Sequence, residues 1–187
     1  MADQSAEGVL SPFLRRRRIA AVRPFLRGQV LDFGCGSGAL AADVDKSAYL
    51  GVDPDPDSIA AARRAFSSHR FLLLDDFAGG SFDTVAALAV IEHVADPAAF
   101  LATLKSSLSP GPQARIVCTT PHPSMDFVHR IGARAGLFSP SASEEHEELL
   151  DRRRLSEAAA RAGLRETFYR RFLAGANQIV AFARRDP

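Results

Sequence analysis

Three glycines at alternate positions, Gly34, Gly36 and Gly38, constrain this chain more than any other feature. They follow the sequence Val-Leu-Asp-Phe at residues 30–33 and precede a run of alanine and leucine. This pattern predicts a strand, a tight turn and a helix, because glycine tolerates positive φ and lets the backbone lie close to a ligand. The unpaired N–H groups at the start of that helix suit an anionic or polar group. The stretch therefore predicts the floor of a cofactor site.

Strands and helices alternate after this turn. Residues 48–53 form a second apolar run that ends in Asp53, and Asp55 or Asp57 is placed to cap a helix over residues 58–66. The remaining segments of this part are strands at 70–75, 82–87 and 114–119 and a helix at 97–108. Five strands that alternate with helices predict a mostly parallel sheet covered on both faces, with ligands at the carboxyl ends of the strands.

The N-terminal part predicts an additional helix. Residues 1–8 are small and polar and are expected to be disordered, whereas residues 9–27 predict an amphipathic lead-in helix. Four arginines at residues 15–18 are typical of a solvated helix face, and one of them is also placed to reach a cofactor carboxylate.

The C-terminal part predicts a helix at residues 154–162, followed by strands at 164–173 and 177–183 around a glycine turn. The predicted fold is thus α/β: a Rossmann-like, seven-stranded, mostly parallel sheet with helices on both faces and a C-terminal antiparallel hairpin. Residues 1–187 are expected to form a single domain, because 187 residues suit one core and no long linker interrupts them.

Composition narrows the functional class. The formal net charge is +1, from 23 basic and 22 acidic residues, so no global field favours nucleic acid or an anionic membrane surface. Two cysteines are too few for a disulfide framework, and the longest apolar run is too short to cross a bilayer. A cytoplasmic protein without a membrane or nucleic-acid partner is expected.

Residues 121–150 depart from the alternating pattern. They are rich in proline and serine and carry an acidic run at residues 144–148. Long segments of this kind often form lids, so this one is a candidate lid and substrate segment.

The glycine turn admits two kinds of cofactor. The spacing from Gly34 through Gly36 to Ala39 satisfies a permissive dinucleotide fingerprint, and Asp53 lies where a ribose-binding acid belongs. A nicotinamide-dependent oxidoreductase is therefore one hypothesis. One sheet of this size leaves no second mononucleotide half, which favours a cofactor smaller than NAD.

Several motifs together resemble those of the class I S-adenosylmethionine-dependent methyltransferases. The glycine turn resembles motif I of that family, and further similarities lie at residues 51–53, 81–85, 90–97, 119–121 and 162–164. The set is similar to the small-molecule methyltransferases related to the ubiquinone-biosynthesis O-methyltransferases. The resemblance implies an S-adenosylmethionine-dependent methyltransferase that forms S-adenosylhomocysteine and acts on a small-molecule substrate.

The resemblance also implies the cofactor-binding residues. Gly34, Gly36 and Gly38 would let the backbone approach the methionine part, and Asp32 would orient the turn and the cofactor ammonium. Asp53 would accept hydrogen bonds from both ribose hydroxyls, its alternative role being a helix cap. The further positions assigned to the cofactor are Cys35, which fills the turn, Pro54, Asp75 or Asp76 with the Phe77 backbone at adenine, and Leu88 beside the methionine part.

The catalytic residues are less constrained by the sequence. The methyl group of a sulfonium is already activated, so placing the acceptor in line supplies much of the catalysis and a modest base suffices. His93 and His146 match positions near the pocket of the family, with a structural role as the alternative. A metal site is not expected, because Ala89 stands where metal-dependent relatives with a Glu-His pair carry another Glu. A cofactor-binding module without turnover remains a third hypothesis.

Overall fold

The computed structural model describes residues 10–123 and 150–185. The strands in these two ranges form one mixed sheet. Its strands are β1 (Val30–Phe33), β2 (Tyr49–Asp53), β3 (Arg70–Leu73), β4 (Thr84–Leu88), β5 (Arg115–Pro121), β6 (Leu164–Phe172) and β7 (Asn177–Arg184). Their order across the sheet is β3-β2-β1-β4-β5-β7-β6. Strands β1 to β5 pair in parallel, whereas β7 is antiparallel to both β5 and β6. The predicted seven-stranded, Rossmann-like sheet with a C-terminal antiparallel hairpin is confirmed.

The direction of the strand order reverses at β1. The chain passes outward from β1 to β2 and β3 on one side, then returns to place β4 and β5 on the other side. In open α/β sheets, ligands bind at this reversal, outside the carboxyl ends of the strands. The glycine turn directly follows β1, so it lies at that point.

Helices cover both faces of the sheet, and each face has its own core. The helices are α1 (Leu10–Val22), α2 (Pro56–Ala65), α3 (Pro97–Ser106) and α4 (Arg152–Arg161). On one face, Leu101 of α3 and Leu155 of α4 pack with Ile116 and Phe182. On the other face, Val22 of α1 and Ile59 of α2 pack with Val117 and Ile179. Alternate residues of β5 therefore point to opposite cores, as the period of a strand buried on both faces requires.

Aspartate caps fix the starts of three helices. Asp55 accepts hydrogen bonds from the N–H groups of Asp57 and Ser58, so the cap of α2 is Asp55 and not Asp57. Asp96 accepts hydrogen bonds from two N–H groups at the start of α3. Asp151 accepts one hydrogen bond, from the N–H of Arg154, at the start of α4. A proline follows Asp55 and Asp96 in the first helical turn, where its missing N–H costs no helical hydrogen bond.

The structure specifies the type of one predicted helix and shortens another. The segment after the glycine turn is a 3-10 helix over Ala39–Asp43, because its backbone makes i to i+3 hydrogen bonds such as Ala41 N–H to Gly38 O. The lead-in α-helix ends at Val22 and passes into a 3-10 turn over Arg23–Phe25. Pro24 explains this early end, since proline in a helix interior removes a donor and clashes with the preceding turn.

Some predictions fall on residues that the structure does not describe. They are the disorder of residues 1–8, nearly all of the candidate lid at residues 121–150, and His146, since residues 124–149 lie outside the described ranges. The single domain over 1–187 remains a prediction. Within residues 10–123 and 150–185, no helix has the length and apolar character that a bilayer span requires.

Candidate functional site

The glycine turn is anchored to the neighbouring strand β2. The N–H groups of Gly34 and Cys35 both donate to the carbonyl of Val52, at 2.8 and 3.0 Å. The φ angles of Gly34, Gly36 and Gly38 are 75°, 51° and 79°, in the left-handed region that side chains rarely adopt. The predicted tight turn is thus present, and its shape depends on glycine at all three positions.

The three glycines face different surroundings. A Cβ on Gly34 would lie 2.5 Å from a methyl carbon of Val90, and one on Gly38 would lie 2.8 Å from the ring of Phe71. A Cβ on Gly36 would meet nothing within 4 Å. Gly34 and Gly38 therefore permit close packing inside the protein, whereas Gly36 borders open space that a ligand can enter.

A pocket of about 540 Å³ opens at this turn. Predicted cofactor-binding residues that line it are Asp32, Gly34, Cys35, Gly36 and Leu88. The sequence predicted that one arginine of residues 15–18 could reach a cofactor carboxylate, without indicating which, and both Arg15 and Arg18 line the pocket. The lining residues that the sequence did not assign to the cofactor are Ile19, Ser37, Ala39, Leu40 and Ser58. The volume lies within the usual range of small-molecule sites, about 300–1,000 Å³.

Asp32 forms the polar floor of the pocket. Its side chain is 3% exposed, and its Oδ2 accepts a 2.7 Å hydrogen bond from the hydroxyl of Tyr49. Burial raises the pKa of Asp32 to about 7; the Tyr49 hydrogen bond opposes this rise, and the charge of Asp53 adds to it. A positively charged group bound beside Asp32 would favour its carboxylate form.

Asp53 holds the glycine turn in place from the end of β2. Its Oδ2 accepts from the N–H of Gly36 at 2.8 Å, and its Oδ1 accepts from the N–H of Asp55 at 3.0 Å. The alternative role of Asp53 as a helix cap is not what the structure has, because Asp55 caps α2. A carboxylate offers about four acceptor positions, so these two bonds leave capacity for a ligand. Pro54, the next residue, is exposed.

The predicted adenine-binding residues follow β3. Asp75 and Asp76 are exposed and lie in a 3-10 turn over Leu74–Asp76. Phe77 is half-buried and its ring lies 6.3 Å from that of Phe82. Because the carboxyl ends of neighbouring parallel strands share one edge, this turn lies on the same edge of the sheet as Asp53. None of the three lines the 540 Å³ pocket.

Two arginines of α1 bring positive charge to the pocket wall. Arg15 is exposed and its Nη1 donates to the hydroxyl of Ser37 at 3.4 Å. Arg18 is half-buried and its Nε donates to Oδ1 of Asn177 at 3.1 Å. Burial lowers the pKa of Arg18, and the nearby charge of Glu92 opposes that effect. Arg16 and Arg17 are exposed and do not line the pocket, in agreement with the prediction of a solvated helix face.

The two cysteines are buried and suited to packing. Burial is the largest cause that raises the pKa of each thiol, to about 12 for Cys118 and further for Cys35. Thiolates are the reactive form of cysteine, so neither residue is prepared for nucleophilic chemistry. This agrees with the interpretation of Cys35 as a small residue that fills the turn.

A buried glutamate and an exposed histidine follow β4. Glu92 is 7% exposed, and its Oε2 has no hydrogen-bond partner within residues 10–123 and 150–185. Burial raises its pKa, and the backbone, the Thr120 hydroxyl and Arg18 oppose the rise. His93, the predicted catalytic histidine, is exposed and is absent from the pocket lining. Its catalytic role remains a prediction.

Metal-ligating side chains do not converge in the described part of the chain: no group of three or more His, Cys, Asp or Glu residues there would hold an ion. Residues 124–149, which contain His146, lie outside that search. The expectation of a metal-independent protein therefore stays a prediction.

The strand order, the pocket at its reversal point and the glycine turn together define a class I methyltransferase fold. A family model for the methyltransferase domain matches residues 9–167. The chain belongs to this family, and the resemblance seen in the sequence is confirmed.

Curated relatives point to the same group. The chain is 29% identical over 163 residues to a ubiquinone biosynthesis O-methyltransferase of Dinoroseobacter shibae, which covers 79% of this chain and 64% of the relative. It is 36% identical over 114 residues to the protein of the same name from Cereibacter sphaeroides, over 56% of this chain and 45% of the relative. The chain thus spans about half to two thirds of the length of these relatives.

Solved structures share the fold. The magnesium protoporphyrin IX methyltransferase of Synechocystis PCC 6803 with bound SAH superposes with a TM-score of 0.72 and 17% identity, over 98% of this chain and 90% of that one. A putative methyltransferase in complex with the Haloferax volcanii Trm112 methyltransferase activator gives 0.68 and 16%, over 92% and 89%. At these identities, the likeness is one of fold.

Proposed function

We propose that this chain is an S-adenosylmethionine-dependent methyltransferase that acts on a small-molecule acceptor and releases S-adenosylhomocysteine. The observation that carries the proposal is the charge pattern of the pocket: the carboxyl group of Asp32 at its floor and the guanidinium groups of Arg15 and Arg18 at its wall. The amino-acid end of the cofactor carries one ammonium and one carboxylate. A pocket with both charges matches both ends of that group.

The same pattern disfavours the nicotinamide hypothesis. A dinucleotide would bring its pyrophosphate to the glycine turn, as in other sheets with this spacing. There the anionic phosphates would lie close to Asp32, whose pKa is already raised by burial and, to a smaller extent, by the charge of Asp53. A further negative charge would be unfavourable, whereas an ammonium would be favourable.

Asp53 is proposed to bind the ribose. Its carboxylate lies at the end of β2, one strand away from the glycine turn, and holds the N–H of Gly36. The remaining acceptor positions of its oxygens suit vicinal hydroxyl groups. Asp75 or Asp76 is proposed to accept from the exocyclic amine of adenine, next to the backbone of Phe77. The amino-acid end, the ribose and the adenine would therefore lie beyond the ends of β1, β2 and β3, in that order.

The proposed chemistry requires little of the protein beyond positioning. When bound, the cofactor supplies a methyl group on a positively charged sulfur, which departs as a neutral thioether after transfer. The residues of this chain hold the amino-acid and nucleoside ends, so that the acceptor meets the methyl group in line. His93 and His146 remain proposed proton acceptors for the acceptor group. The names of the curated relatives support a small-molecule acceptor.

Calorimetry tests the proposal. The wild-type chain is expected to bind S-adenosylhomocysteine and not NAD or NADH. The Asp53→Ala variant is expected to bind S-adenosylhomocysteine at least about tenfold more weakly, because hydrogen bonds to a charged group contribute about 1.5–3 kcal/mol each. Asp57→Ala, which removes an exposed acid of α2, is the matched control and should bind as wild type.

Two results would overturn the assignment: no binding of either S-adenosylmethionine or S-adenosylhomocysteine to the folded wild type, or equal affinity in the Asp53→Ala variant. Transfer of a labelled methyl group to a broad acceptor panel then separates an enzyme from a cofactor-binding module. Binding without any transfer across the panel would favour the module.

A further inference from the structure

We propose that Asn177, in the C-terminal hairpin, is a positioning residue that fixes the guanidinium of Arg18 for the carboxylate of the cofactor. This inference rests on the proposed function. The inference adds to that function a role in cofactor binding for β7, a strand that contributes no residue to the pocket lining.

The contact joins two distant parts of the chain. Nε of Arg18 donates to Oδ1 of Asn177 at 3.1 Å, across 159 positions of sequence. Asn177 is 4% exposed and is the first residue of β7. Its backbone lies opposite Pro121 of β5 and Phe172 of β6. Strands on both sides thus hold Asn177, so its amide oxygen is a fixed point to which a mobile side chain can attach.

Arg18 has the properties of a side chain prepared for an anion. It lines the pocket, and within residues 10–123 and 150–185 the Nε bond is the one hydrogen bond that its side chain makes. A guanidinium has five N–H donors in a rigid plane, so one bond at Nε leaves the Nη edge for a carboxylate. The contact with Asn177 therefore sets the direction of the remaining donors without using them.

The charges around Arg18 leave it incompletely compensated. Glu92, after β4, acts on it electrostatically but has no hydrogen bond to it, and Arg15 brings a second positive charge to the same wall. Asn177 is neutral, so it orients the guanidinium without cancelling its charge. Asp32 faces the same pocket from β1 and is the complement of an ammonium. A carboxylate on the ligand would complete the balance on the side of Arg18.

The expected gain is one of preorganisation. Long side chains such as arginine lose much rotamer freedom when a ligand immobilises them, and a side chain held in advance avoids part of this loss. Removal of the Asn177 amide should therefore weaken binding of a carboxylate-bearing ligand by about three- to tenfold. A ligand without the amino-acid end should bind unchanged.

Two ligands separate positioning from a general structural role. Calorimetry would compare S-adenosylhomocysteine with 5′-methylthioadenosine, which keeps the nucleoside and the thioether but lacks the ammonium and the carboxylate. The Asn177→Ala variant is expected to lose about three- to tenfold in affinity for the first ligand and nothing for the second. Thr167→Ala removes another hydrogen bond of the hairpin, from Thr167 Oγ1 to the carbonyl of Ala181, and should change neither affinity.

Two further variants test the charge argument. Asn177→Asp keeps the shape of the side chain but pairs Arg18 with a carboxylate, so S-adenosylhomocysteine should bind more weakly than to the Asn177→Ala variant. In an Arg18→Met background, Asn177→Ala should have no additional effect, because the residue that it positions is absent. The Asp variant also covers the case in which the alanine variant does not fold, since it preserves the size of the buried group.

The outcomes are distinct. The positioning role would be overturned if the Asn177→Ala variant lost equal affinity for both ligands, or if the folded variant kept its affinity for S-adenosylhomocysteine. It would also be overturned if the Asn177→Asp variant bound S-adenosylhomocysteine as tightly as wild type. An additive loss in the Arg18→Met background would overturn it as well. If the wild type bound 5′-methylthioadenosine and S-adenosylhomocysteine equally, Arg18 would not serve the carboxylate and the inference would fail while cofactor binding stood. If the wild type bound neither ligand, the proposed function itself would fail.

Discussion

The hydroxyl of Tyr49 donates a 2.7 Å hydrogen bond to Oδ2 of Asp32 beneath the glycine turn. Both side chains are buried, at 3% exposure each. Gly51 makes this contact possible, because a Cβ there would lie 2.9 Å from the Tyr49 oxygen. The floor of the pocket is therefore a carboxyl group whose charge is costly in the free protein and useful when a cation binds.

The first prediction concerns the stability of the Asp32→Asn variant. The folded state raises the pKa of Asp32 from 3.8 to about 7, so it retains a proton that the unfolded state has released. Wild-type stability should fall as pH rises from about 4 to about 7, then lose no more through this group. The variant should lack this fall and melt at a higher temperature than wild type at pH 8. A tenfold change in a proton equilibrium corresponds to about 1.4 kcal/mol, so the difference should reach a few kcal/mol.

Thermal melts of both proteins between pH 4 and pH 8, without ligand, measure this difference. Near pH 4 the two should melt at similar temperatures, since the wild-type residue is largely protonated there. A constant difference across the range would show that Asp32 does not titrate with a raised pKa. Under the proposed function, the same variant should bind S-adenosylhomocysteine about ten- to a hundredfold more weakly at pH 8, because a charged partner of the ammonium is lost.

The second prediction concerns Tyr49→Phe. This change removes the donor that lowers the pKa of Asp32, so that pKa should rise further. The pH at which S-adenosylhomocysteine binding reaches half its maximal strength should therefore move upward, while affinity at high pH changes less. Calorimetric titrations at several pH values measure the midpoint. An unchanged midpoint would indicate that Asp32 does not control binding through its charge.

The third prediction separates Gly36 from another glycine with positive φ. Gly36 and Gly79 have φ angles of 51° and 91°, and a Cβ on either meets nothing within 4 Å. Alanine in the left-handed region costs about 1–2 kcal/mol, so Gly36→Ala and Gly79→Ala should lower the melting temperature by similar amounts. Of these two glycines, Gly36 borders the pocket and Gly79 does not, so only Gly36→Ala should weaken S-adenosylhomocysteine binding, by more than tenfold. Equal affinities of the two variants would place the ligand elsewhere.

The fourth prediction identifies the residue at adenine. S-inosylhomocysteine lacks the exocyclic amine, so wild type should bind it more weakly than S-adenosylhomocysteine. In Asp75→Ala or Asp76→Ala, the residue that accepts from the amine should lose this preference, and the other variant should keep it. Calorimetry with both ligands on both variants gives the answer. If both variants kept the full preference, neither carboxylate would contact the amine.

The alternation of strands and helices was enough to predict the parallel sheet, because parallel strands need crossover connections and both faces must be covered. It was also enough to place Asp53 at the edge where β1 and β2 end. The short helix predicted after the glycine turn is present over Ala39–Asp43, but its 3-10 type, with i to i+3 bonds, was not indicated by the sequence. Such a choice depends on how the turn packs, which periodicity does not encode.

The arginines of α1 show what helical phase could have added. Arg15, Arg18, Ile19 and Val22 lie at intervals of three, four and seven residues and share one face. Because Ile19 and Val22 are buried, that face points toward the sheet, and Arg15 and Arg18 reach the pocket at its edge. Arg16 and Arg17 lie off that face and are exposed. The sequence predicted that one of the four arginines could reach a cofactor carboxylate, and periodicity could also have singled out Arg15 and Arg18 among them.

Other parts of the site depend on contacts that no local pattern reveals. Tyr49 reaches Asp32 only because β1 and β2 pair with Val30 opposite Tyr49 and Asp32 opposite Gly51. A shift of one residue would turn the tyrosine to the other face of the sheet. The contact of Asn177 with Arg18 depends likewise on β7 inserting between β5 and β6. The alternation of strands and helices along the sequence does not specify this register or this strand order.

The insertion of β7 beside β5 has a consequence for the order in which the protein matures. During synthesis the strand that carries Asn177 leaves the ribosome some 140 residues after the glycine turn, and long loops are slow to close. A nascent chain can form the parallel part of the sheet, strands β1 through β5, before Asn177 is available to accept the hydrogen bond from Arg18. Strong binding of the amino-acid end of a ligand would then be acquired only after β7 has inserted, which makes cofactor affinity a reporter of that insertion.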